Sequence, residues 1–134
     1  MIVIDSSSLV KYLLREEGWR QVEAYLLQGV VSLDHAEKEV LNAVWKHHLV
    51  RRIIGRELAV ELYNVFKKLV DAKILLIERE EQYLDKAFEI AMNHYLPLYD
   101  SLYISQALKW GKLLTSDVLQ KEVAQNMDLE VIYL

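Results

Sequence analysis

Met1-Ile2-Val3-Ile4-Asp5-Ser6-Ser7-Ser8 opens the chain. A short apolar run, strongly β-forming, stops at a carboxylate, and the hydroxyl residues after it suit the start of a helix. The same arrangement returns near the other end. There Leu113-Leu114 runs into Thr115-Ser116-Asp117 ahead of a second helical stretch. A buried strand does not need an acid at its tip, so these two aspartates are the first candidates for chemistry.

Working outward, residues 2–4 read as a strand, 6–15 and 19–27 as helices, and 30–33 as a second strand. Asp34 is placed to cap a long helix over 35–52, and another helix covers 55–70. Residues 74–77 form a strand and 80–95 a helix. Pro97 starts a helix ending near Gly111, since proline favours the first turn and glycine the end. The strand 113–115, the helix 118–126 and the strand 130–133 complete the series. With only four glycines and one proline, the connections must be short. Short apolar strands alternating with helices predict an α/β protein with a parallel sheet covered on both faces. Such sheets bind ligands outside the carboxyl ends of their strands.

Composition narrows the function. The 134 residues suit one domain, with no linker, repeat or low-complexity tract. Hydrophobic residues at 53% and charged residues at 27% describe a folded soluble chain. The longest apolar run, at Ile74-Leu75-Leu76-Ile77, is far too short to span a membrane. No export signal precedes the first strand, so a cytoplasmic protein is expected. The absence of cysteine removes disulfides, thiolate nucleophiles and zinc–thiolate sites. A net charge of −4 argues against coating nucleic acid by bulk charge. Yet no acid occurs between Glu39 and Glu57, a stretch that holds Lys46, Arg51, Arg52 and Arg56. This basic stretch is a candidate RNA-binding surface; a solvated helix face is the alternative.

Two further acids stand out. Asp100 heads the apolar stripe of its helix, with Tyr103, Ile104 and Ala107 at i+3, i+4 and i+7. Glu39 borders the stripe of Ala36, Val40, Ala43 and Val44, with Asn42 and Lys46 on its own side. Each acid alone has a structural explanation: Asp5 and Asp117 as helix caps, Asp100 as a favourable dipole charge, Glu39 as a surface residue. Together, converging carboxylates need neutralising cations. An all-oxygen donor set selects a hard divalent ion, Mg²⁺ or Mn²⁺, which serves phosphodiester hydrolysis. Ser7 and Thr115 are candidates to hold the ligands by hydrogen bonds.

Asp5-Ser6-Ser7, Glu39-Val40-Leu41-Asn42-Ala43, Asp100-Ser101-Leu102-Tyr103 and Thr115-Ser116-Asp117, in this order, resemble the motifs of the PIN-domain nucleases. Among these, the chain is most similar to the VapC-type toxins of toxin–antitoxin pairs. The resemblance spans essentially the whole chain. It implies a single PIN-like domain over 1–134, three-layered α/β/α, around a parallel sheet of about five short strands. It implies a metal-dependent ribonuclease with Asp5, Glu39, Asp100 and Asp117 as catalytic metal ligands. Ser7, Asn42 and Thr115 support them. It also implies a homodimer and a cognate antitoxin that blocks the site. Some members carry a further acid after the last motif, where this chain has Val118, Leu119, Gln120 and Lys121. One metal ion and two therefore both stay open.

Competing readings fare less well. A phosphotransferase using an aspartyl nucleophile commonly has a second Asp two residues on, where this chain has Ser7, and a receiver domain needs an early acidic pair that is absent. The remaining alternative is a PIN-like scaffold that binds RNA without cutting it. His35, His47, His48 and His94 show no ligand pattern and read as packing or surface residues. Most of the tryptophans and tyrosines read as core or interface. The apolar surplus of the early helices, including Trp19, Tyr25 and Leu26, is expected to form a dimer or antitoxin groove.

Overall fold

The computed structural model describes residues 1–134. Five strands, β1 (Ile2–Ile4), β2 (Val30–Leu33), β3 (Leu75–Glu78), β4 (Lys112–Thr115) and β5 (Glu130–Tyr133), form one sheet in the order β3-β2-β1-β4-β5. Every neighbouring pair is parallel. The helices are α1 (Ser6–Leu13), α2 (Trp19–Leu26), α3 (His35–Trp45), α4 (Arg56–Asp71), α5 (Leu84–His94), α6 (Leu98–Trp110) and α7 (Val118–Asn126). The first four pack against one another, and α5, α6 and α7 form a second group on α6. This is the expected three-layer α/β/α architecture, PIN-like in its order of elements.

The strand order sets the position of the site. The chain steps outward from β1 to β2 to β3, then crosses back to place β4 on the other side of β1. Right-handed crossovers put the helices of the two directions on opposite faces. The crevice at this reversal lies between the carboxyl ends of β1 and β4, the usual ligand position in open parallel sheets. Asp5 and Asp117 follow those two strands.

The centre of the sheet is mainly apolar, with Val3, Ile4, Val30, Val31, Leu33, Leu113 and Leu114 buried beside Ser32 and Thr115. The hydroxyl and amide donors buried there are paired. The Ser32 hydroxyl donates to the Ile4 carbonyl at 2.7 Å. The buried Gln106 amide donates to Ser32 O at 3.0 Å and to Glu78 Oε1 at 2.9 Å. That pairing ties α6 to the ends of β2 and β3. Gly111 closes α6 with φ +98, a left-handed conformation that a side chain would strain, and its amide donates to Ala107 O at 2.7 Å.

Several details differ from the sequence expectation. The helix expected over 35–52 is α-helical only to Trp45, and Lys46–Val50 forms a wider π turn. Such turns re-aim side chains and concentrate at functional sites. The helix expected over 80–95 begins with a tight 3₁₀ turn at Glu80–Tyr83 before α5. Asp34 does not cap α3; its Oδ1 accepts the Glu80 amide instead, at 3.1 Å. Of the residues expected in a groove on the early helices, Leu26 is buried in the core and cannot line one, while Trp19 and Tyr25 are partly exposed. Trp19 lies against Tyr12, with the Arg15 guanidinium 3.8 Å from its ring centre. Exposed apolar side chains include Leu27 after α2, Val50 and Ile53 in and just after the π turn, and Phe88, Met92 and Tyr95 on and beyond α5. No helix is long and apolar enough to cross a membrane.

Candidate active site

Asp5 caps α1: its Oδ1 accepts the Ser8 amide at 3.0 Å and the Ser7 hydroxyl at 2.7 Å. Its Oδ2 accepts the Thr115 hydroxyl at 2.5 Å. Thr115 Oγ1 in turn accepts the Asp117 amide at 3.0 Å, so one hydroxyl joins the β1 acid to the β4 loop. Ser7 Oγ accepts the Ser116 amide at 2.9 Å, a second tie between the same loops. Asp117 caps α7 through Oδ1, which accepts the Gln120 amide at 2.8 Å. The capping explanation of both aspartates is therefore physically real. For Asp117 it occupies a single oxygen.

Glu39 projects from α3 toward the same edge. Its Oε1 accepts the Tyr103 hydroxyl at 2.6 Å and stands 3.3 Å from His35 Nε2. Asp100, in the first turn of α6, accepts from the Gln120 side-chain amide at 3.4 Å. Burial pushes the Asp5 carboxyl up to about 6, against its hydroxyl and amide donors, and the Asp117 charge adds to the rise. Burial likewise lifts Asp100 to about 6, with the Asp117 and Glu39 charges reinforcing it. Glu39 moves the other way: burial pushes it up, but donation from His35 and Tyr103 outweighs this and holds it low. The four acids thus feel one another's field at the carboxyl edge of the sheet.

None of Asp5, Asp100 and Asp117 is ion-paired with a lysine or arginine. The cluster is also open. The one group of three donor side chains whose atoms all fall within 4.8 Å of each other lies elsewhere, at Asp34, His35 and Glu80. Oxygen donors with uncompensated negative charge, two of them forced toward the neutral form, fit a hard divalent cation. Asp5, Glu39, Asp100 and Asp117 are the residues at this edge that could hold such an ion.

Of the four acids, Glu39 and Asp117 line an open cleft of about 700 Å³, whereas Asp5 and Asp100 do not. Its lining mixes the acids Glu16, Glu39 and Asp117 with Lys11, Lys46 and Arg51, and adds Ser7, Asn42 and His47. Of the basic residues expected near the site, Lys46 and Arg51 line the cleft, whereas Arg52 and Arg56 do not. The π turn delivers His47, whose Nδ1 donates to Ala43 O at 2.9 Å. Sequence reading missed Lys11, His47, Tyr103 and Gln120 as parts of the site. Tyr103 and Gln120 had a signal in the spacing: each lies three residues after a candidate acid, on the same helical face.

The chain is 35% identical over 120 residues to Ribonuclease VapC3 of Pyrobaculum aerophilum, covering 87% of this chain and 88% of that protein. The crystal structure of PAE2754 from Pyrobaculum aerophilum superposes with a TM-score of 0.68, over 91% of this chain and 83% of that one. At 22% identity this second likeness speaks to the fold. No family model matches the chain. Identity above a third, sustained along most of both proteins, is reached by sharing ancestry and not by a common composition. The chain belongs to the PIN-domain family of VapC-type ribonucleases.

Proposed function

We propose that the protein is a divalent-metal-dependent endoribonuclease that hydrolyses RNA phosphodiester bonds as the toxin of a VapBC-type pair. One observation carries this reading: four carboxylates lie at the carboxyl edge of the sheet, none of them paired with a lysine or arginine, and two of the four, Glu39 and Asp117, line a cleft shared with Lys11, Lys46 and Arg51. Lys11, Lys46 and Arg51 hold the phosphate backbone, and Asp5, Glu39, Asp100 and Asp117 hold Mg²⁺ or Mn²⁺. A divalent ion bound there supplies an acidified water and neutralises charge on the phosphate oxygens. Thr115 and Ser7 fix the two carboxylate oxygens of Asp5, and Tyr103 fixes Glu39. Asn42 lines the cleft between Glu39 and Lys46 and contributes an amide for the substrate.

The protein acts as a single-domain unit in the cytoplasm. The exposed Phe88, Met92 and Tyr95 offer a homodimer surface, and a cognate antitoxin restrains the nuclease by occupying the cleft. The test is cleavage of labelled RNA by the purified protein. Activity is expected with Mn²⁺ or Mg²⁺, to vanish in chelator and to return when the ion is restored. Cleavage that persists in chelator would overturn the metal mechanism. RNA binding without cleavage under any divalent ion would favour an inactive scaffold, whose acids serve as the helix caps seen at Asp5 and Asp117.

A further inference from the structure

A second group of donors lies one strand away from the acidic cleft. Asp34 and His35 follow β2, and Glu80 begins the 3₁₀ turn after β3. The strands pair Leu33 with Glu78, which brings both loops to the same carboxyl edge. The Asp34 amide donates to Glu78 O at 3.0 Å, and the Glu80 amide donates back to Asp34 Oδ1. Donor atoms of Asp34, His35 and Glu80 all lie within 4.8 Å of one another. His35 and Glu80 line a depression of about 330 Å³ together with Glu39, Lys38, Asn42 and Tyr99.

His35 makes this more than a cluster of acids. Its ring is only 5% exposed, lies against Tyr103 and Tyr99, and faces a carboxylate at each nitrogen without a well-aligned hydrogen bond to either. Nδ1 faces Glu80 Oε2 at 3.1 Å, and that oxygen is also buried without a partner. Leaving two such atoms unsatisfied is costly. Two ligands each about 2.1 Å from one ion, at tetrahedral or octahedral angles, stand about 3.0–3.4 Å apart. The observed separation falls in that interval. Neither Asp34 nor Glu80 is ion-paired with a lysine or arginine.

We infer that Asp34, His35 and Glu80 bind a first-row transition-metal ion such as Zn²⁺ or Mn²⁺, at a site that adjoins the four-acid cluster through Glu39. An imidazole beside two carboxylates prefers such ions over Mg²⁺. Ligation through Nδ1 leaves the ring proton on Nε2, 3.3 Å from Glu39 Oε1. That is the usual carboxylate partner of a metal-bound histidine. The second ion therefore orients Glu39 from behind, making His35 a positioning residue for the cleft.

The inference stands apart from the nuclease reading, because its readout is metal uptake and not cleavage. Co²⁺ is titrated into the full chain carrying Asp100→Asn and Asp117→Asn, which silences the cleft, and visible absorption is followed. One equivalent of Co²⁺ is expected to bind with ligand-field bands, to be displaced by Zn²⁺ and to resist millimolar Mg²⁺. Glu80→Gln is expected to lower the affinity at least about tenfold. Glu80 is partly exposed, so this variant tests the site even if His35→Gln fails to fold. Absence of Co²⁺ binding, or binding indifferent to Glu80→Gln in a folded protein, overturns the inference. His35 then only packs between Glu39 and Glu80.

Discussion

The Tyr103 hydroxyl donates to Glu39 Oε1 at 2.6 Å, linking residues 64 positions apart in the chain. It fixes a carboxylate on α3 against a helix from the opposite layer. Tyr103→Phe removes that donor without changing the packing of the ring. A hydrogen bond to a charged group contributes about 1.5–3 kcal/mol, and the half-exposed Glu39 regains part of it from water. Metal affinity at the cleft is expected to fall about tenfold, with helicity unchanged. Calorimetric titration of Mn²⁺ beside circular dichroism checks this; wild-type affinity would show that Tyr103 only fills space.

The acidic cluster should also be visible as a pH dependence of stability. The Asp5 pKa rises on folding from an ordinary 3.8 to about 6, so the folded state holds the proton more tightly. The resulting stability is fully present below pH 3.8 and lost as pH rises through about 6. At about 1.4 kcal/mol per pKa unit, the loss for this buried group is on the order of 3 kcal/mol. Asp5→Asn is therefore expected to melt above the wild type at neutral pH in chelator, with the gap narrowing toward pH 4. Saturating Mn²⁺ is expected to reverse the order, since only the wild type keeps that ligand. Thermal melts across pH decide it, and a gap independent of pH would contradict the burial of a charged Asp5.

The cleft lining predicts a difference between two pairs of cations. Lys46 and Arg51 line the cleft, while Arg52 and Arg56 lie outside it. Replacing Lys46 and Arg51 by Ala is expected to flatten the salt dependence of RNA binding. The log–log slope should fall by about 0.7 for each phosphate no longer neutralised, or about 1.4 for the pair. The matching Arg52 and Arg56 double variant should keep the slope. Equal slopes for both double variants would move the RNA path away from the cleft.

Glu78 predicts a structural effect at a distance from the acids. Its Oε1 accepts from Tyr83 at 2.7 Å, Trp110 at 2.8 Å and Gln106 at 2.9 Å. Burial raises its pKa, but these donors outweigh it and hold the group low. Glu78→Ala orphans several partly buried donors and is expected to cost on the order of 3 kcal/mol. A lowered pKa contributes stability above 4.5 that is lost as pH falls through the folded value, so the deficit should shrink in acid. Denaturant unfolding at neutral and acidic pH measures both.

The sheet was legible in the sequence because Ile2–Ile4, Val30–Leu33 and Glu130–Tyr133 are short β-forming runs separated by helical periodicity. The acids were legible because each sits where an apolar pattern stops or is interrupted. What stayed hidden depends on pairs distant in sequence. His35 and Glu80 meet only because β2 and β3 are neighbours, so spacing along α3 held no sign of a donor group. The π turn at Lys46–Val50 was invisible too: its residues keep helical spacing, and the extra residue shifts only their direction. Asp34 looked like a cap by position, yet its carboxylate answers an amide 46 residues away.

Cleavage by Asp100→Asn most directly tests whether the four acids form a catalytic metal site. The substitution keeps size and shape, removes one charge from a cluster that repels it, and leaves the hydrogen bond with Gln120 able to re-form. With Mn²⁺ saturating for the wild type, RNA cleavage by the purified variant should fall by orders of magnitude, while its melting temperature in chelator holds or rises. Cleavage at the wild-type rate would contradict the account, since the negative charge at Asp100 would then hold nothing that the reaction needs.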